Sequence, residues 1–268
     1  MKRVFEPLWL LCCVLFLAGC QTTSQYRNSS VVDYLYPKSD QHVVSEEIPR
    51  LVLPLKVGVA FTPGSHGTSL TEASKMELMS DVSKHFESLD FVDSIEVIPS
   101  GYLRPEGSFA NLEQLKRMFG IDVIALISYD QTRFTDEGFA SIAYWTLVGA
   151  YLVPGEKNAT HTLIDAVLYD IDSQKLLFRA PGVSVVKSKA TPVNLKEQVR
   201  EDSLEGFQLA SEDLVGNLKV QLDRFQTRVE STPEQFEVIR SEGYRGSGSS
   251  GYGFLLLLGL LFLRSRKG

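Results

Sequence analysis

Leu55, Val57, Val59 and Phe61 alternate with their neighbours, the period-two rhythm of a strand with one face in a core. Ser69-Leu70-Thr71-Glu72 then has the spacing of a capping box, in which hydroxyl and carboxylate satisfy each other's free backbone amides. Leu70, Ala73, Met76, Met79, Val82, Phe86 and Leu89 follow at helical spacing, with both methionines read as core filler. A second strand is predicted near residues 94–99. A short helix follows from Asn111, with Leu112, Leu115 and Phe119 inward and Gly120 as its stop. Residues 121–128 are apolar apart from Asp122, as in a strand covered on both faces. This β-α-β-α-β order predicts parallel strands with right-handed crossovers.

The next third changes rhythm. Residues 143–153, 160–170 and 175–186 read as consecutive strands. Hairpin-like turns separate them at Pro154-Gly155-Glu156-Lys157-Asn158 and at Asp172-Ser173-Gln174. The apolar run 142–153 is too short to span a membrane and ends in Pro-Gly. A long helix over 194–229 closes the pattern, its stripe carried by Phe207, Ala210, Leu214, Leu218, Leu222 and Phe225. The expected fold is therefore α/β. A three-layer-like β-α-β-α-β unit leads into an antiparallel β-meander and a long C-terminal helix, all on one mixed sheet. Residues 50–230 form a single α/β domain in this reading. Residues 20–49 are a polar tether, with 31–36 as a docking patch, and 231–250 are a flexible Gly/Ser linker.

The two ends carry different signals. Met1-Lys2-Arg3 precedes an apolar stretch and then Leu17-Ala18-Gly19-Cys20, the three parts of a lipoprotein signal peptide over 1–19. Cleavage would fall between Gly19 and Cys20, and Cys20 offers the sulfur that takes a diacylglyceryl group. At the other end, Gly246, Gly248 and Gly251 stand in a Gly/Ser tract before an apolar run of about 12 residues, roughly 18 Å of helix. A hydrocarbon core of ~30 Å wants about 20 residues, so 251–268 reads as a sorting segment more than a comfortable span. Arg264, Arg266 and Lys267 would stay cytoplasmic, as would Lys2 and Arg3, so both ends export the middle.

The Gly/Ser tract, the short Leu-rich helix and the basic end resemble the GlyGly-CTERM sorting signal. Joined to the lipobox, and to Val148-Gly149-Ala150-Tyr151-Leu152-Val153-Pro154-Gly155 and Leu176-Leu177-Phe178-Arg179-Ala180-Pro181-Gly182, they resemble the rhombotarget lipoprotein family. That resemblance implies processing by rhombosortase, a rhomboid-type intramembrane protease, cutting between Gly246 and Gly253. The chain has no adjacent Gly-Gly pair there, and an uncut tail anchor is the alternative. By resemblance to bacterial lipoproteins, Cys20 becomes the mature first residue. Gln21 in place of Asp then favours the outer membrane.

All three cysteines lie within residues 1–20, so the exported body rests on its apolar core without disulfides. The formal charge is −6; the signal region contributes +1 and the basic tail +3, leaving −10 for the middle. An acidic body argues against nucleic acid as a partner. His42, His66, His85 and His161 are scattered without zinc spacing, and no metal or cofactor motif is present. His66, in Pro63-Gly64-Ser65-His66-Gly67, is the best single site candidate because it follows a strand end. Ser184-Val185-Val186-Lys187 matches Ser-x-x-Lys but lacks its companion motifs. Asp165, Asp170 and Asp172 offer carboxylates without a calcium-ligand pattern. Two function classes remain. The preferred one is a non-catalytic, membrane-anchored envelope lipoprotein binding an envelope protein or cell-wall partner. The alternative is an envelope hydrolase with its site near Gly64–Thr68.

Overall fold

The computed structural model describes residues 22–37, 47–64, 70–137, 156–191, 193–242 and 244. It is α/β with a mixed sheet, as expected. Eight strands are described: β1 (Thr22–Asn28), β2 (Arg50–Leu53), β3 (Leu55–Phe61), β4 (Val92–Ile98), β5 (Val123–Glu137), β6 (Glu156–Asp170), β7 (Leu176–Ala190) and β8 (Glu237–Arg240). The helices are α1 (Val31–Leu35), α2 (Glu72–Phe86), α3 (Ser108–Phe119) and α4 (Leu195–Ser231). The main sheet runs β4-β3-β5-β6-β7, with β1 antiparallel to β5, while β2 and β8 form a small parallel sheet.

Contacts divide the chain into two compact units. One comprises residues 1–28, 129–164 and 182–213; the other comprises 29–128, 165–181 and 214–268. In the second unit β3 is parallel to both β4 and β5. The chain leaves β3 for β4 on one side, then returns past β3 to β5. Right-handed crossovers in opposite directions put the two connecting helices on opposite faces. Period-two alternation then sorts the side chains. Ala60, Ile98, Ile124, Leu126 and Tyr169 pack with Leu112 and Leu115 of α3 and with Tyr34 and Leu35 of α1. Val57, Val59 and Ala125 face α2 and the last turns of α4. Gly58 points to the α1/α3 side, where an added Cβ would stand 2.5 Å from Ile121 Cδ1.

Several local expectations shift. The N-cap of α2 is Thr71, whose hydroxyl accepts from Ser74 N at 3.1 Å. Ser69, the expected capping-box partner of Glu72, lies outside the described residues, and the Glu72 carboxylate accepts from Ser100 N at 2.8 Å, a tertiary partner no local pattern reveals. Helix α3 begins at Ser108, before Asn111, and does end at Gly120 in the left-handed region (φ 68°). Strand β5 continues well past residue 128 to Glu137, and its polar second half pairs with β1. Residues 22–35, read as tether, thus supply a strand and a helix whose Val31, Tyr34 and Leu35 are buried. Phe236 and β8, read as linker, join the small sheet through Leu51 and its neighbours. Residues 143–153, expected as a strand, lie outside the described residues.

Candidate functional site

The α2/α4 face of the second unit forms a half-open cavity of about 720 Å3. Its floor is the sheet: Val57 and Val59 of β3, Ile95 of β4, Ala125 of β5, Leu168 of β6 and Phe178 of β7. Val82 and Phe86 of α2 form one wall, Leu218, Leu222 and Phe225 of α4 another. Leu51, Leu53 and Val238 of the small sheet close a third side. These residues are apolar because each element's inward stripe is apolar, yet the stripes do not meet. Val57, Ile95, Ala125, Leu168, Phe178 and Leu222 are only half-buried. Ala125 is the telling case. It lies on the strand that sequence expects to be sealed on both faces, while its neighbours Ile124 and Leu126 are fully buried.

The pocket is half-open, so its apolar side chains stay in partial contact with solvent. Water there finds few polar partners. The interior offers little: the Ser83 hydroxyl already donates to Met79 O at 2.8 Å. Polar groups gather at the exposed rim, where Ser88, Asp90, Gln226, Glu230 and Arg240 stand. The volume lies within the ~300–1,000 Å3 range of small-molecule sites.

The groups with displaced pKa values stand away from these walls. Burial pushes the Tyr169 phenol up to about 12, helped by Tyr36 and Asp165. Burial also raises Tyr34, whose hydroxyl donates to Asn111 Oδ1 at 3.0 Å. Asp170 is raised by burial against the opposing bonds from Ser173. Burial opposes ionisation of Glu72, but Ser100 and Lys75 outweigh it and lower its pKa. Among the described residues the cavity therefore brings together mainly apolar surface.

The residues singled out from sequence are dispersed. Gly19, Cys20, Gly246, Gly248, Gly251, Arg264, Arg266 and Lys267 lie outside the described residues, as do His42 and His66. Gly64, at the edge of the His66 loop, forms an isolated bridge with Ser29. Ser184 donates to Gly206 O at 2.6 Å, so its hydroxyl serves strand–helix packing in the first unit. Asp165 accepts from Arg179 Nε at 2.7 and 2.8 Å, and Asp172 pairs with Lys116 at 2.6 Å. The ring of His161 meets Phe134 edge-on, and His85 lies beside Asp81 O. Among the described residues no three metal-ligating side chains converge, and no helix is long and apolar enough to cross a membrane.

Sequence reasoning missed the cavity. The available signal was an excess of apolar strand positions on the α2/α4 face over what two helical stripes can cover. It missed a second feature too. In the first unit the strand–helix interface is polar: Gln131 Nε2 donates to Thr162 Oγ1 at 3.0 Å and Ser203 O at 3.3 Å, and Asp202 accepts from Ser188 and Gln198.

No family model and no curated protein matches this chain. Among solved structures, a PelC dodecamer from Paraburkholderia phytofirmans is similar at 10% identity, over 72% of this chain and 96% of that one, with a TM-score of 0.30. A PelC variant dodecamer from the same organism gives 12% identity over the same shares and a TM-score of 0.31. Lipoprotein GNA1162 from Neisseria meningitidis gives 14% identity over 59% of this chain and 97% of that one, with a TM-score of 0.21. Likenesses this distant carry nothing over to this chain.

Proposed function

We propose that this chain is an exported, lipid-anchored envelope lipoprotein whose folded body is a binding module, not an enzyme. The observation that carries the binding role is the cavity, with its apolar walls and polar rim. The lipobox ending at Cys20 supports the anchor, and Gln21 supports an outer-membrane destination. The tail from Gly246 supports trimming by a rhomboid-type protease on the exported side, so the mature body would hang from its N-terminal lipid alone.

Intact-mass analysis of membrane-extracted protein tests both ends at once. The expected species lacks residues 1–19, carries acyl groups on Cys20 and lacks Arg264–Gly268. Cys20→Ser should abolish palmitate labelling and leave an uncleaved precursor. Persistent labelling of that variant, or an intact basic tail on the mature protein, would remove the corresponding part of the proposal. For the binding role, a membrane-permeant photoreactive hydrocarbon probe should crosslink to the cavity walls. Labelling confined to other surfaces would end that role.

A further inference from the structure

We infer that the cavity of the second unit is a site for a single fatty acyl chain, with its polar head left at the rim. This rests on the binding reading above and names the ligand class. Three observations point to it. First, the interior presents hydrocarbon and aromatic surface only, and the Ser83 hydroxyl is already committed to Met79 O. Any polar group that a ligand turned towards these walls would be left unpaired, at a cost in binding. Second, the polar residues stand together at the exposed rim, among them Asp90, Gln226, Glu230 and Arg240. The fitting ligand is therefore hydrocarbon for most of its length and polar at one end. Third, the volume of about 720 Å3 lies within the ~300–1,000 Å3 of small-molecule sites, room for a hydrocarbon chain. An unbranched acyl chain has no polar atoms along its length to bury.

The wall geometry adds a reason for fit. Phe178 and Phe225 of the wall meet at a tilt, 5.5 Å between ring centroids, and Phe236 supports Phe225 edge-on from behind at 5.6 Å. Arg228 braces it, its guanidinium over both Phe225 and Phe236 and donating to Leu177 O. A preformed wall spends little ordering entropy when a flexible chain enters.

The test uses the full chain in isolated membranes and photoreactive lipids, with the crosslinked peptides mapped by mass spectrometry. A diazirine-bearing palmitate and a phospholipid with the same acyl group should both be tried. The expected crosslinks fall on peptides containing Val57, Ala125 and Leu168. Ala125→Phe places a ring on the cavity floor and should cut labelling roughly tenfold. Val185→Phe, on an exposed strand position, should leave labelling unchanged. Palmitate labelling alone would identify free fatty acid as the source, and phospholipid labelling alone a membrane lipid. Labelling that occurs only in Cys20→Ser would identify the protein's own acyl chain as the resident. Labelling of the walls by the plain hydrocarbon probe but by no acyl lipid would overturn the acyl assignment and leave the binding role standing. Absence of wall labelling by any probe, or labelling indifferent to Ala125→Phe with the fold intact by circular dichroism, would overturn both.

Discussion

Ala60 and Ala125 sit on neighbouring strands of one sheet, and their surroundings could hardly differ more. Ala60, on β3, faces α1 and α3 and is fully buried. Ala125, on β5, faces α2 and the last turns of α4 and remains half-exposed in the cavity. Both faces are apolar by pattern. What separates them is supply. On the closed face α1 adds Val31, Tyr34 and Leu35 to the α3 stripe, and Phe109 joins Tyr36 and Tyr169 in edge-on contacts at 5.6 and 5.7 Å. On the open face the two helices stand apart and nothing described fills the gap. The same alternation that builds a core on one side builds a receptacle on the other.

The largest expected effect lies on the closed face. Leu112→Ala removes a fully buried side chain and should lower unfolding stability by about 2–5 kcal/mol in a urea titration. A loss no greater than that of a surface change would mean the closed face is not the core. A sharper contrast comes from paired insertions. Ala60→Phe should overpack and cost about 1–3 kcal/mol, whereas Ala125→Phe should be neutral or raise the thermal midpoint by occupying empty space. Equal losses at the two positions would break the comparison. Leu222→Ala, on the cavity wall, should cost about 1 kcal/mol or less, because its side chain already meets solvent.

The last effect appears only at alkaline pH. Burial raises the Tyr169 phenol from 10.0 to about 12, so the native state favours the neutral form. The unfolded chain ionises first, so stability should be full below pH 10 and fall as pH rises toward 12. Tyr169→Phe should flatten that fall without changing the cavity. An unchanged alkaline slope in the variant would place the titration elsewhere.

Much of the fold was legible because its signals are local. Strand β3 shows in its alternation, α3 in Leu112, Leu115 and the Gly120 stop, and α4 in a stripe from Phe207 to Phe225. Strand β1 was not legible: Thr22–Asn28 is polar, and only the second half of β5 gives it hydrogen-bond partners. Strand β8 escaped notice for the same reason, as four residues defined by their pairing with β2. The candidate site was the least legible part. The residues that drew attention for their chemistry, His66, Ser184 and the three aspartates, are dispersed, while those that line the cavity look like ordinary core.

The amino-acid sequence by itself determined most of the helices and strands and the α/β order with its parallel first half. Each depends on residues near one another in the chain, where spacing translates directly into geometry. The tertiary structure alone decided which apolar face closes and which stays open. That outcome depends on the distance between α2 and α4, elements joined by more than a hundred residues. Burial of a side chain is set by how many other surfaces reach it, and pattern records only which way it points.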